Sequence, residues 1–216
     1  MDVNKLTNII YDNALEFSIS DDKWRIGKDR TFSKAWFKEC YPNLAIGQDN
    51  KKGKDKIPGW YWFKTDAPND YLLTLDAEKP PLNYLKTGSE KYISIKDKAT
   101  ANISQIKGAL ISDSGSRVVY NGHEIWLSGR LGGHFYSPNT KTGALRLSQH
   151  QKLNSKKYQW SVLVFSEDMI ANLPASVSST EKQQIASLIE SKNSMGRRLI
   201  ESNWRSLNGW PILARA

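Results

Sequence analysis

Tyr158-Gln159-Trp160-Ser161-Val162-Leu163-Val164-Phe165-Ser166 is the most strand-like segment of the chain. β-Branched and aromatic side chains suit a pleated surface, and here they are concentrated in one short run. Apolar residues at consecutive positions leave no side for water, so the segment predicts an interior strand buried on both faces. Such a strand needs partners. Pro58-Gly59-Trp60-Tyr61-Trp62-Phe63 and Tyr71-Leu72-Leu73-Thr74-Leu75 both carry β propensity, and Pro80-Pro81 stops structure after the second. Ile106–Ser112 and Arg117–Asn121 flank the turn residues Asp113-Ser114-Gly115-Ser116 and predict a β-hairpin.

Helical periodicity surrounds these runs. Leu6, Ile9, Ile10, Ala14 and Leu15 place an amphipathic helix over roughly 3–17. Ile125, Leu127 and Leu131 place another over Glu124–Phe135, ended by Ser137-Pro138-Asn139. Ser178-Ser179-Thr180-Glu181 supplies a hydroxyl cap before the periodic Ile185, Leu188 and Ile189. A last helical stretch covers about Arg197–Arg205 and is stopped by Asn208-Gly209-Trp210-Pro211. Hairpin, helix, strand and helix make an α+β fold, a small antiparallel sheet flanked by helices. Acid content drops near 95–103, which divides the chain into an N-terminal extension (1–100) and a core (101–216).

At 216 residues, 39% hydrophobic and 25% charged, the chain is long enough for one buried core and is not disordered by composition. No apolar run reaches the roughly 18 residues a bilayer span needs. The first residues lack the apolar stretch of a secretory signal, and a lone Cys40 excludes a disulfide framework or a cysteine zinc cage. A soluble protein of the cytoplasm is expected. The net charge is +9 with a pI near 9.5, and residues 101–216 hold 14 Lys/Arg against seven acids. That surface attracts polyanions, nucleic acid first. Lys51, Lys52, Lys54 and Lys56 form a basic loop; the eight tryptophans are expected to pack in the core, with Trp60 and Trp62 beside the loop as the alternative contacts for bases or sugars. Phosphate-loop, dinucleotide and Gly-x-Ser-x-Gly motifs are absent from the sequence, and three scattered histidines make no zinc site. The scarcity of acids fits phosphodiester cleavage with a single carboxylate and one divalent ion.

Tyr120-Asn121-Gly122 at a strand end, followed by Arg130 on the next helix, resembles the second motif of the GIY-YIG nuclease superfamily. Two stretches compete for the first motif: Gly108-Ala109-Leu110, which has leucine where the tyrosine is expected, and Gly59-Trp60-Tyr61, which requires a long insertion. Downstream order resembles the compact type II restriction enzymes of that superfamily. Arg130-Leu131-Gly132-Gly133-His134 and Arg146-Leu147-Ser148-Gln149-His150 are both Arg-x3-His pairs; Val162–Phe165, the Ser179-Thr180-Glu181 cap and Asn193 follow at matching spacing. The likeness spans about residues 106–205.

The resemblance implies sequence-specific cleavage of double-stranded DNA by a homodimer using Mg²⁺ or another divalent cation. In it Tyr120, with Tyr61 as the candidate second tyrosine, takes a proton from water. Arg130 or Arg146 neutralises the phosphate, His134 or His150 assists, and Asn193 fixes the site. Glu181 is the metal ligand, since at 100° per residue it falls on the side of Ile185, Leu188 and Ile189, whereas Glu190 and Glu201 fall nearly opposite. Glu190 is the reserve, and a plain helix-end acid is the competing reading of Glu181. Arg197 and Arg198 join the basic loop as DNA contacts.

Overall fold

A computed structural model describes residues 1–30, 32–46, 56–76, 94–106, 108–136, 144–150, 153 and 157–214, leaving out the side chains of 28–30. Eight α-helices lie in these residues: α1 (Val3–Asp12), α2 (Asp21–Arg30), α3 (Lys34–Cys40), α4 (Asn69–Leu72), α5 (Ile95–Gln105), α6 (Leu127–Phe135), α7 (Ser179–Ile189) and α8 (Ser194–Asn208). They flank a four-stranded sheet of β1 (Leu15–Ser18), β2 (Gly59–Thr65), β3 (Arg117–Glu124) and β4 (Trp160–Ser166). The spatial order is β1-β4-β2-β3, and every pair is antiparallel. The protein is α+β, as the residue patterns require. Among the described residues no helix is long and apolar enough to cross a membrane.

The continuous aromatic run of β2 follows from its place between two strands and two helical layers. Successive side chains alternate between sheet faces. Trp60 and Trp62 enter a core with Leu6, Ile10, Ile185, Ile189, Ile200 and Trp204, built by α1, α7 and α8. Tyr61 and Phe63 enter the other, with Trp36, Phe37, Tyr120, Leu131 and Phe135, built by α3 and α6. Trp60 and Trp62 are 0% and 1% exposed, so neither is available to a base. A buried tryptophan removes roughly 200 Å² from water, about 5 kcal/mol of transfer free energy, which explains why both indoles are inside.

Three local expectations are corrected. Among the described residues of 106–112 none pairs with β3, an edge strand whose partner is β2 from Gly59 to Thr65. Gly108, at φ +78°, turns the chain, and Leu110 instead makes an isolated parallel bridge to Trp210. Tyr71–Leu75 is no strand: Pro68 caps α4, and the backbone closes local turns through Leu75. The helix expected from Glu124 starts at Leu127, Glu124 being the last residue of β3.

The division near residue 100 also changes. Two strands come from residues 1–100 and two from 101–216, and the boundary expected at 95–103 falls inside α5. The first hundred residues supply half of the sheet rather than an extension to it.

Candidate active site

Glycine shapes this site twice. Gly59 lies where β2 passes beneath the start of α6: a Cβ there would stand 2.5 Å from the Phe165 carbonyl oxygen and 2.8 Å from Leu127 Cδ2. Gly122 lies opposite Tyr61 in the β2–β3 register, and a Cβ on it would stand 2.6 Å from the Tyr61 hydroxyl. The missing side chain leaves room for that hydroxyl against β3. Phe63 pairs with Tyr120, so Tyr61 and Tyr120 are diagonal neighbours on one face, with ring centroids 6.1 Å apart and planes 19° apart.

Helix α6 closes over the two tyrosines. Arg130 and His134 are four residues apart, hence on one helix face. Arg130 Nε donates to Tyr61 Oη at 3.1 Å, and its terminal nitrogen donates to Tyr120 Oη at 3.3 Å. His134 Nε2 lies 3.0 Å from Tyr61 Oη, while its Nδ1 accepts the Leu145 backbone N–H at 2.9 Å. Burial pushes the Tyr61 hydroxyl upward in pKa and the neighbouring Tyr120 adds to this, while Arg130 opposes both. Burial holds His134 far below its usual value, reinforced by Arg130, Lys98 and Arg146. Burial lowers Arg130 too, but the two tyrosine oxygens outweigh it and keep the guanidinium charged.

Two side chains outside the expected set meet this cluster. Lys98, from α5, places its Nζ 5.8 Å from the Tyr120 ring centroid. Glu201, from α8, approaches the same stretch of β3 from the other side. Its carboxylate bonds the Arg205 guanidinium and lies 3.5 Å from His123 Nε2. Arg205 Nε donates to the Asn121 side chain at 2.8 Å. Burial raises the Glu201 carboxyl, opposed by Arg205, Arg198 and Arg130, and the charge of Glu201 reaches Tyr61. Burial lowers His123 to about 4, and Arg197, Arg198, Arg130 and Arg205 push the same way, so it is neutral at pH 7.

The other expected residues stand elsewhere. Glu181 completes a capping box with Ser178 and pairs with Lys5 Nζ at 2.5 Å. The Lys5 bond, and then those from Ser178, hold its carboxyl down at about 2. Its helix packs on the Trp60 and Trp62 face, away from Tyr61. Glu190, the reserve, is exposed at the end of α7. His150 is a buried pin: its Nε2 accepts the Ile95 N–H at the start of α5, and its Nδ1 bonds the Arg146 carbonyl. Burial takes it down to about 4. Arg146 is buried with a left-handed backbone at φ 52°. Asn193 caps α8 by accepting the Gly196 N–H and donates to the Ser187 carbonyl.

Arg197 is buried and donates to the carbonyls of Ile189, Glu190 and Ser191, which fastens the end of α7 and removes it from DNA. Arg198 and Lys56 are exposed, whereas Lys51, Lys52 and Lys54 lie outside the described residues.

Comparison of the chain with protein-family models, curated proteins and solved structures finds no match. The site therefore rests on its own geometry.

The signal that identifies Glu201 was in the sequence. Helix α7 stops at Ile189 and α8 restarts at Ser194, so helical phase does not carry across the break. Within α8 alone, Arg197, Ile200, Glu201, Trp204 and Arg205 recur at the spacing of one inward face. Lys98 has no comparable signal, because nothing in the sequence places α5 beside Tyr120.

Proposed function

We propose that this chain is a metal-dependent endonuclease acting on double-stranded DNA, of the GIY-YIG type and the restriction kind. The observation that carries the reading is one guanidinium, Arg130, bonded to the hydroxyls of Tyr61 and Tyr120 from adjacent strands. Gly59-Trp60-Tyr61 and Tyr120-Asn121-Gly122 are then the two motif strands, with residues 66–116 inserted between them. A structural tyrosine pair has no need of a buried cation; a scissile phosphate does, because charge builds on its oxygens as the attacking water approaches.

In the proposed reaction water attacks phosphorus, a new P–O bond forms, and the bond to the 3′-oxygen breaks. A hydroxyl of the tyrosine pair takes the proton of the water as it gives up its own to solvent, and the departing oxygen takes a proton from solvent. Arg130 neutralises the non-bridging oxygens, and Lys98 adds positive charge on the Tyr120 side. Glu201 is the residue suited to a divalent cation. It is a largely buried carboxylate whose charge reaches Arg130 and Tyr61, and one protein carboxylate with the rest of the shell from water and phosphate is a common arrangement for Mg²⁺. Bound there, the ion supplies charge to the phosphate and the departing oxygen. Glu181 caps α7 through Ser178 and pairs with Lys5, and the groups that set its charge do not include Arg130 or the tyrosines.

A palindromic target favours a two-fold dimer on DNA. The test is incubation of purified protein with supercoiled plasmid and Mg²⁺. Discrete cuts that chelation stops are expected; retention of DNA without a cut would leave a binding protein and end the enzymatic reading.

A further inference from the structure

His134 has only one way to satisfy both of its contacts. A backbone N–H can only donate, so the Leu145 amide, 2.9 Å from Nδ1, requires a bare lone pair there. With Nδ1 unprotonated the ring proton resides on Nε2, and the contact of 3.0 Å to Tyr61 is a donation from the imidazole to the hydroxyl oxygen. Arg130 Nε, which is always protonated, donates to the same oxygen at 3.1 Å. Tyr61 Oη therefore receives two hydrogen bonds from fixed donors, and its own proton points away from both. The imidazole is 0% exposed and packed edge-on against Tyr61 and Tyr120, with Phe63 tilted beside them. It has no room to turn over and exchange the roles of its nitrogens.

We propose that His134 is a positioning residue locked as a hydrogen-bond donor by the Leu145 backbone amide, and that it never takes the proton of the reaction. This deepens the endonuclease reading and rests on it for the word reaction; the locked donor itself does not. A histidine beside a reactive tyrosine would ordinarily be assigned as the base that removes the tyrosine proton. Here that base would need a free lone pair on Nε2, and Leu145 has fixed the lone pair on the other nitrogen. The role of the ring is to hold the Tyr61 oxygen in place, in concert with Arg130. The proton taken from water enters a hydroxyl of the tyrosine pair as that hydroxyl gives up its own to solvent.

Two measurements decide the matter. The first is the long-range proton–nitrogen NMR correlation of the His134 ring in the intact chain. A protonated Nε2 with a bare Nδ1 at neutral pH is expected; a protonated Nδ1, or a doubly protonated ring, would overturn the proposal whether or not the protein cuts DNA.

The second compares His134→Gln with His134→Ala in plasmid cleavage, with thermal unfolding of both variants. Glutamine carries an acceptor and a donor on one group but cannot shuttle a proton. A fixed donor predicts cleavage by His134→Gln within about tenfold of the parent and a larger loss in His134→Ala, which leaves the Tyr61 oxygen without that donor, whereas a proton-transfer role would cost both variants about 10²–10⁴-fold. Equal and severe loss in both variants, with His134→Gln still folded, would show that the ring titrates in the reaction. Absence of any cleavage by the parent chain would instead sink the endonuclease reading, and the NMR result would still stand for the locked donor.

Discussion

The hydroxyl of Tyr61 lies against Gly122, in the space that a side chain at that position would fill. A methyl group there would stand 2.6 Å from Tyr61 Oη, so either the ring or the β2–β3 pairing must shift. Overpacking of a fitted core costs about 1–3 kcal/mol. Gly122→Ala should fold with a lowered Tm and cut DNA far more slowly, because Oη no longer meets Arg130 and His134 together. Cleavage equal to the parent would show that the Tyr61 position is not required.

Tyr61→Phe and Tyr120→Phe separate the two hydroxyls. Each keeps the stacked ring and removes one oxygen. The Tyr61 change strands two buried donors, at about 1–3 kcal/mol each, so it should lower Tm more than the Tyr120 change does. Both should reduce cleavage about 10²-fold or more, with DNA affinity retained. Single-turnover cleavage and unfolding curves read both effects; full activity in either variant would make that tyrosine a core aromatic only.

The two glutamates provide a matched pair. Glu201→Gln should abolish metal-dependent cleavage, because it removes the carboxylate whose charge reaches Arg130 and Tyr61. Glu181→Gln should keep cleavage and lower Tm, because it weakens a helix cap and an ion pair. The reverse pattern would return the metal to α7.

Acid should destabilise the fold before its carboxylates titrate. An unfolded histidine takes a proton near pH 6.5, whereas His150 and His123 do so only near 4 and His134 lies well below its usual value. Between about pH 6.5 and 4 the unfolded chain binds more protons, so stability is present at neutral pH and lost as pH falls. Each histidine contributes roughly 1.4 kcal/mol per pH unit across that window. Glu181, held at about 2, adds a loss of the same sign below about pH 4.5. Denaturant titrations at successive pH values measure the slope, and a flat profile from about pH 7 to 4.5 would mean that the histidines are not held neutral.

Lys98 should report on phosphate. If its ammonium meets the DNA backbone, Lys98→Ala reduces the salt dependence of affinity by about one unit of slope and weakens all duplexes alike. The parent affinity should fall steeply with salt. An unchanged slope in the variant would leave Lys98 as a companion of the Tyr120 ring alone.

How much of this was legible depended on the range of the interactions. Local patterns located β4, β2, the Ser178 cap of α7 and the stop after α8, because apolar runs, hydroxyl caps and Gly-Pro breaks act over a few residues. Arg130 and His134 were legible as a pair for the same reason: one helical turn carries both. The strand beside Tyr120 was not. Gly108–Ser112 is near in sequence and Gly59–Thr65 is more than fifty residues away; local pattern permits either as its partner.

Burial decided between them, since β2 fills two cores at once while Leu110 is half-buried at the margin of one, bridged to Trp210. Arg146 and His150 have the same spacing as Arg130 and His134, but only tertiary contacts show His150 bonded on both nitrogens to backbone. Glu201 fell outside the expected set because two short helices were read as one phase. The sequence by itself determined an α+β chain with a strongly basic charge, and most of its elements. Tertiary structure alone decided which tyrosine faces Tyr120, which Arg-x3-His pair meets them and which glutamate stands opposite, because each depends on contacts between residues tens of positions apart.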